Sequence, residues 1–189
     1  MKKVAVALMV LAVFACKRGE EKAETHGFSK PDAKKAAAPA AAQNAQPGTE
    51  VGSIMPEYSA MWLDGTKFEL NERRDKVVLL NLWATWCGPC RYEIPELQAL
   101  HDKYAPKGFE VVGVSVDESG VEAVRDFVKE HKMAYPVVLD AEGKLANVFQ
   151  TSVLPTSVII DRNGKIVWKK FGAIMPNDEE LVKAVEGAL

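Results

Sequence analysis

The strongest constraint on the fold of this chain is a Cys-Gly-Pro-Cys tetrapeptide, residues 87–90, which lies between two stretches of different periodicity. Before it, residues 77–84 are apolar and β-branched at their start, which predicts a buried strand. After it, residues 91–107 carry apolar side chains at helical spacing. The two cysteines are therefore predicted to lie where a strand passes into a helix, which indicates an α/β protein.

This position gives the two thiols different chemical properties. Cys87 is predicted to lie at the helix N-terminus, where unpaired N–H groups and the helix dipole stabilise negative charge. Because the thiolate is the reactive form, we expect the pKa of Cys87 to lie below the free value of about 8.5. Cys90 follows one helical turn later, close enough to resolve a mixed disulfide. The pair predicts thiol–disulfide exchange through a redox-active Cys87–Cys90 disulfide.

Two alternative interpretations of the cysteine pair are disfavoured by the rest of the sequence. A zinc site needs four ligands, but the one further cysteine is Cys16, and the three histidines show no ligand spacing. A purely structural disulfide is disfavoured because closing so short a loop removes little entropy from the unfolded chain. We therefore expect no metal and no cofactor.

The N-terminal residues 1–16 have the pattern of a signal peptide, with two lysines before an uninterrupted apolar run. The run is too short to span a bilayer, which takes roughly 20 residues. It ends in Val-Phe-Ala-Cys, which resembles a bacterial lipobox and predicts lipidation of Cys16. We expect an extracytoplasmic protein anchored to a membrane by this lipid. Ordinary secretion with cleavage nearby, leaving an incidental thiol, is the alternative.

The remaining chain divides into two parts by composition. Residues 17–50 are rich in Lys, Glu, Ala and Pro and are predicted to form a disordered tether, with a short helix around residues 34–38 as the alternative. Residues 51–189 have the length of one domain with its own core. That part carries 21 acidic and 16 basic residues, a net charge of −5, and no basic stripe. We therefore expect no nucleic-acid partner.

Strand and helix patterns alternate through the domain. In chain order they predict a hairpin around Asp64-Gly65, the strand and helix beside the cysteines, a strand at 109–116, a helix at 121–132, a strand at 137–139, a helix at 144–149, a hairpin over 157–171 and a last helix starting at 177. This order favours a mixed sheet with helices on both faces. Functional residues in such sheets lie at the carboxyl ends of strands, where Cys87 is placed.

Four segments together resemble a thioredoxin-fold oxidoreductase, and more narrowly the membrane-tethered, extracytoplasmic TlpA/ResA type. They are 77–95 (VVLLNLWATWCGPCRYEIP), 109–117 (FEVVGVSVD), 153–157 (VLPTS) and 159–165 (IIDRNGK). The match covers essentially all of residues 51–189. It implies an α/β thioredoxin fold: a mixed central sheet with helices on both faces, an N-terminal hairpin and a central βα insertion.

The resemblance also implies roles for individual residues. Cys87 corresponds to the exposed attacking thiol, Cys90 to the buried resolving thiol, and Pro155 to the family's cis-proline, which faces the dithiol. A cis X-Pro bond turns the backbone sharply and exposes polar groups that a substrate strand can pair with. The expected substrate-binding residues are Trp86, Gly88, Pro89, Leu154, Pro155 and Thr156.

Two further positions concern proton transfer. Thioredoxin has a buried aspartate six residues before its first cysteine; here that position is Asn81, which cannot titrate. Glu93 matches an acidic residue that ResA-like proteins place near the dithiol, and we expect it to be the third catalytic residue, exchanging a proton with Cys90. Asn81 is expected to form a hydrogen bond near the site without proton transfer. The alternative for Glu93 is a solvated glutamate favoured by the helix dipole.

Together these features predict a membrane-anchored, extracytoplasmic thiol:disulfide oxidoreductase that reduces disulfides in client proteins. The resemblance implies apocytochrome c or another protein with a thiol pair as the client, and a membrane thiol electron donor. An oxidase that forms disulfides is the nearest alternative, because it shares every residue. A peroxide-reducing enzyme is disfavoured, because its Pro-x-x-x-Thr/Ser-x-x-Cys stretch is missing. A thiol metal chaperone is the alternative of another class.

Overall fold

The structure is a computed structural model that describes residues 46–189. The predicted signal peptide, Cys16 and most of the predicted tether lie outside the described residues. Residues 46–50 of that tether contact the domain: the Gly48 N–H donates to the Ile54 carbonyl at 3.0 Å, and Lys169 Nζ donates to the Thr49 carbonyl at 3.0 Å. Among residues 46–189, no helix is both long enough and apolar enough to cross a membrane.

Strands and helices alternate through the described residues in the predicted order. The strands are β1 (Ser59–Trp62), β2 (Lys67–Glu69), β3 (Val77–Trp83), β4 (Phe109–Ser115), β5 (Val137–Leu139), β6 (Thr156–Ile160) and β7 (Ile166–Phe171). The helices are α1 (Gly88–Tyr104), α2 (Val121–Glu130), α3 (Lys144–Phe149) and α4 (Glu179–Ala188). The two predicted hairpins correspond to β1–β2 and β6–β7. Helix α2, strand β5 and helix α3 lie between β4 and β6 along the chain.

All seven described strands form one sheet in the order β2-β1-β5-β4-β3-β6-β7. The pairs β3–β4 and β4–β5 are parallel, whereas the other neighbours are antiparallel. Every residue of β3 and of β4 is buried, as expected for central strands covered on both faces. The prediction of a mixed sheet is confirmed.

The hydrophobic core has two parts, one on each face of the sheet. Alternate residues of a strand point to opposite faces, so Leu79 and Leu80 of β3 enter different parts. The part that contains Leu79 is completed by α1, α2 and α4, for example by Leu97 and Leu181. The part that contains Leu80 is completed by α3 through Leu145. Helices therefore cover both faces, as predicted.

One helix begins as predicted and another begins two residues later, and a side chain caps each of them. Helix α1 begins at Gly88 with Cys87 as its N-cap, as predicted, since the side chain of Cys87 accepts the N–H of Cys90. Helix α4 begins at Glu179 rather than Asn177, since the Asp178 carboxylate accepts the Leu181 N–H at 3.1 Å.

Candidate active site

The two cysteines lie at the junction between β3 and α1 and are joined in a disulfide. Cys87 is the N-cap of α1, and its sulfur accepts the N–H of Cys90 at 3.3 Å. Pro89 lies in the first helical turn, where its missing N–H costs the helix no hydrogen bond. Cys87 is therefore placed at the positive end of the helix dipole, as predicted, and is paired with Cys90.

Both cysteines are more buried than the resemblance implied. Cys87 is 5% exposed and Cys90 is 1% exposed, and both belong to the hydrophobic core on the α1 face of the sheet. The expectation of an exposed Cys87 is therefore wrong for the disulfide form, because the bond holds both sulfurs against that core. Cys87 is nevertheless the more accessible of the two.

Glu93 lies one turn after Cys90 on α1 and is fully buried. Its Oε1 accepts a hydrogen bond from Asn81 Nδ2 at 2.7 Å, and its Oε2 accepts the backbone N–H of Ile174 at 2.8 Å. Burial raises the pKa of Glu93 from the ordinary 4.5 to about 7, while the two donors and the charge of Lys170 act in the opposite direction. Glu93 is therefore a buried acid and not a solvated helix-terminal glutamate.

Two other polar side chains are buried in the core on the α1 face of the sheet. The Tyr135 hydroxyl and the indole N–H of Trp83 are buried nearby without a hydrogen-bond partner among residues 46–189. The pKa of Tyr135 is raised, mainly by burial and to a smaller extent by the negative charge of Glu93. The charge of the carboxylate therefore acts on the phenol. Gly113 allows this packing: a Cβ there would lie 3.0 Å from Trp83 Nε1 and 3.3 Å from Tyr135 Cε2.

Asn81 has the hydrogen-bonding position that the sequence predicts. Its side-chain nitrogen donates to Glu93 and also to Ser157 Oγ at 2.9 Å, since Asn81 and Ser157 are paired residues of β3 and β6. The sequence reasoning missed Ser157 and Ile174. A polar residue within a fully buried strand indicates that a partner exists, and that signal is present at Asn81 and at Ser157.

The Leu154–Pro155 peptide bond is cis, as the resemblance implies. Pro155 is buried and its carbonyl accepts the Gly172 N–H at 2.8 Å. Thr156 requires a correction: it is 3% exposed, and its hydroxyl donates to the Val153 carbonyl at 2.7 Å. Its side chain therefore stabilises the loop before β6 and does not present a substrate-binding group.

The other predicted substrate-binding residues surround the disulfide at the surface. Gly88 and Pro89 are exposed, and Trp86 is 69% exposed. Beside Trp86 lies a cavity of about 270 Å³, whose lining includes the half-buried Leu154 and the carboxylate-bearing Glu118. A surface of this kind can hold an extended segment of another protein against the disulfide.

A further buried carboxylate lies beside the site and was not singled out from the sequence as functional. Asp117 follows β4 and is 1% exposed, and it accepts hydrogen bonds from the backbone and hydroxyl of Thr85. Its signal in the sequence is an acidic residue at the carboxyl end of a buried strand. Among residues 46–189, no group of three or more His, Cys, Asp or Glu side chains is placed to hold a metal ion.

Comparisons with known proteins agree with this geometry. Residues 51–169 match the model of the AhpC/TSA family. The chain is 36% identical over 140 residues to a thiol-disulfide oxidoreductase ResA of Bacillus cereus, a match that covers 74% of this chain and 77% of that protein. A thiol:disulfide interchange protein from Bacteroides sp. has a similar structure, with a TM-score of 0.65 and 29% identity over 74% of this chain and 92% of that one.

A second solved structure gives the same result. A thioredoxin-family thiol:disulfide interchange protein from Chlorobium tepidum TLS has a TM-score of 0.62 and 28% identity, covering 75% of this chain and 99% of that one. The predicted thioredoxin fold is confirmed by these likenesses.

The raised pKa of Glu93 predicts how stability depends on pH. Because the buried carboxyl binds its proton more tightly than the unfolded chain does, its contribution to stability is complete below about pH 4.5 and is lost as the pH rises through about 7. We compare the free energies of unfolding of the oxidised wild type and the oxidised Glu93→Gln variant. The wild-type value minus the variant value should fall by about 3 kcal/mol between pH 4 and pH 9. Urea unfolding at several pH values measures this difference.

The control is Glu130→Gln, which removes an exposed carboxylate from α2. The difference between the wild type and this control should stay constant with pH. A difference between the wild type and Glu93→Gln that also stays constant would contradict a raised pKa for Glu93.

Proposed function

The chain belongs to the AhpC/TSA family and is a thiol-disulfide oxidoreductase of the ResA type, and we propose that it reduces disulfides of client proteins outside the cytoplasm. One observation carries the proposal: the Cys87–Cys90 disulfide lies at a helix N-terminus, one turn before a buried acid whose pKa is about 7. A nucleophile, a resolving thiol and a proton acceptor thus follow one another along α1.

In the first step, the thiolate of Cys87 attacks one sulfur of the client disulfide. The Cys87–client bond forms as the client S–S bond breaks, and the departing client thiolate takes up a proton from water. The N–H groups at the start of α1 favour the thiolate form of Cys87, because the helix dipole stabilises negative charge at that end.

In the second step, Cys90 attacks the sulfur of Cys87 and releases the client as a dithiol. Cys90 first has to lose its proton, and it is almost fully buried, so that the acceptor has to be inside the protein. Glu93 lies at helical i+3 spacing from Cys90 and has a pKa near neutrality, which suits a general base for this proton. The net result is a two-electron reduction of the client and oxidation of the Cys87–Cys90 pair.

We assign client contacts to the surface around the disulfide. Trp86, Gly88 and Pro89 provide the exposed side, and Leu154 lines the adjacent cavity. The Pro155 carbonyl already accepts the Gly172 N–H. We therefore expect the backbone of Leu154 to form the main-chain hydrogen bonds with a client strand.

The location and the partners are proposed from the N-terminal sequence and the family. Residues 1–16 act as a signal peptide with lipidation of Cys16, and residues 17–50 tether the domain of residues 51–189 to a membrane. Apocytochrome c is the proposed client, and a membrane thiol protein returns the two electrons to the Cys87–Cys90 disulfide. Exported proteins carry disulfides, which provides the substrates.

The direction of electron flow can be tested through the reduction potential. The Gly88-Pro89 dipeptide resembles that of thioredoxin, and we expect a potential closer to about −270 mV than to about −120 mV. Equilibration with glutathione or dithiothreitol buffers, followed by quantification of the thiols, gives this value. A potential near about −120 mV would support the oxidase alternative instead.

The two cysteines should give different defects when each is replaced. Cys87→Ser should abolish reduction of insulin disulfides, because the attacking thiol is lost and the remaining thiol, Cys90, is almost fully buried. Cys90→Ser should stop the reaction at the mixed disulfide, so that a client stays covalently attached to Cys87 and is released by dithiothreitol. Non-reducing electrophoresis and turbidity of reduced insulin measure these outcomes. Normal insulin reduction by Cys87→Ser would show that the proposed mechanism is wrong.

The proposed role of Glu93 predicts a defect in the second step. Glu93→Gln keeps the side-chain shape and one of the two hydrogen-bond acceptors but cannot take up a proton. Resolution of a preformed mixed disulfide should slow about 100-fold at pH 7, which is the lower end of general-base effects. Stopped-flow measurement of client release reports this step, with Glu130→Gln as the control for loss of an exposed carboxylate. An unchanged rate of release would exclude Glu93 as the base.

A further inference from the structure

The polar groups of Thr85, two residues before Cys87, are all held by hydrogen bonds. Its backbone N–H and hydroxyl donate to the Asp117 carboxylate at 2.9 Å and 2.5 Å. Its carbonyl accepts two hydrogen bonds from the Arg91 guanidinium, at 2.7 Å from Nη2 and 3.2 Å from Nε. This residue, two positions before the nucleophile, is therefore fixed from both sides.

Asp117 is suited to hold this residue in a single position. It is 1% exposed, and it also accepts the Ser115 hydroxyl at 2.7 Å while its own N–H donates to Ser115 Oγ at 3.2 Å. A buried carboxylate is stable only when donors surround it, and the donors here come from Thr85 and Ser115. Asp117 thus links the end of β4 to the segment that leaves β3.

That segment is a tight turn which ends at the nucleophile. The Cys87 N–H donates to the Ala84 carbonyl at 3.1 Å, so that Thr85 and Trp86 are the two central residues of the turn. Trp86 is 69% exposed and has little packing of its own to orient it. The hydrogen bonds on Thr85 therefore fix the turn that carries Trp86 and leads into Cys87.

We infer that Asp117 is a positioning residue for disulfide exchange, acting through Thr85 on the orientation of Cys87 and Trp86. The inference rests on the proposed function. According to this inference, the connection between β4 and α2 helps to present the nucleophile to a client. The residues of α1 and of the loop that contains Pro155 contribute as well.

The charge of Asp117 adds an electrostatic effect on Cys87. Its negative charge disfavours the thiolate, whereas the positive charge of Arg91 and the N-terminus of α1 favour it. Glu118 beside Asp117 and Glu93 further along α1 are also acidic. So are Asp140, which follows β5 at the same end of the sheet, and Glu142, which lines the cavity beside Trp86. Tyr135, from the segment before β5, is affected by the charge of Glu93.

A matched pair of variants at Thr85 separates positioning from folding. Thr85→Val has the same shape but lacks the hydroxyl that Asp117 accepts, and kcat/KM for insulin reduction should fall about 10-fold, as expected for loss of a hydrogen bond to a charged group. Thr85→Ser keeps the hydroxyl and should remain within about twofold of the wild type.

Asp117→Asn should show the same loss of kcat/KM as Thr85→Val. Asp126→Asn, which removes an exposed carboxylate of α2, should show none.

The second readout is the pH profile of Cys87 itself. The reduced full-length chain is labelled with iodoacetamide at a series of pH values, and tandem mass spectrometry assigns the label to Cys87. Asp117→Asn should shift the midpoint down by about 0.5 unit, because a nearby negative charge is removed. Asp126→Asn should leave the midpoint unchanged.

The inference is overturned if Thr85→Val and Asp117→Asn both keep kcat/KM and the Cys87 profile within error of the wild type. It is also overturned if Asp117→Asn lowers the urea midpoint and changes neither of these. If Asp117→Asn does not fold, the two Thr85 variants test the inference instead. It is then overturned if Thr85→Val and Thr85→Ser have the same kcat/KM. If the wild type itself fails to reduce insulin, the proposed function fails, and the labelling profile still decides the role of Asp117.

Discussion

The proposed chemistry depends on the desolvation of one carboxyl group, that of Glu93, one helical turn after Cys90. Glu93 has no contact with solvent, so burial disfavours its charged form and raises its pKa to about 7. Hydrogen bonds from Asn81 and Ile174 partly offset this effect and hold the carboxyl in place. A group in this state can accept a proton and release it again near neutral pH, which is what the resolving step requires.

Helical geometry alone places Cys87, Cys90 and Glu93 close together along helix α1. Cys87, Cys90 and Glu93 follow at intervals of three residues from the N-cap, which places them along one face of the helix. The N-terminus of the same helix stabilises the thiolate of the first residue, while its buried face excludes water from the last. The proposed nucleophile, which needs a stabilised negative charge, and the proposed base, which needs burial, therefore lie on the same helix.

The sheet brings the supporting residues to the same end. Strand β3 lies between β4 and β6, so that the end of β4, the start of β6 and the end of β3 are neighbours. Asp117 follows the first of these, and Pro155 precedes the second. Residues far apart in the chain thus lie at the same end of the sheet as Cys87: Asp117, which is bonded to Thr85, and Pro155, in the loop before β6.

The sequence by itself determined the elements and the reacting residues, because both are local patterns. The apolar run before Cys87, the spacing of the cysteines and the two hairpin turns specify strands, a helix and a dithiol without distant contacts. The cis-proline, the role of Glu93 and the fold family came from motif resemblance, which also depends on short segments. At Asn81, a polar residue in an apolar strand indicated a hydrogen bond but did not identify its partner.

The tertiary structure alone decided which distant groups meet. The bonds from Glu93 to Ile174, from Asn81 to Ser157 and from Asp117 to Thr85 depend on strand register and loop packing, which no local pattern encodes. The same holds for burial: Cys87 was expected to be exposed and Thr156 to face a client, whereas both are covered by residues from other parts of the chain. Solvent exposure is a property of the assembled fold, and the pKa of Glu93 follows from it.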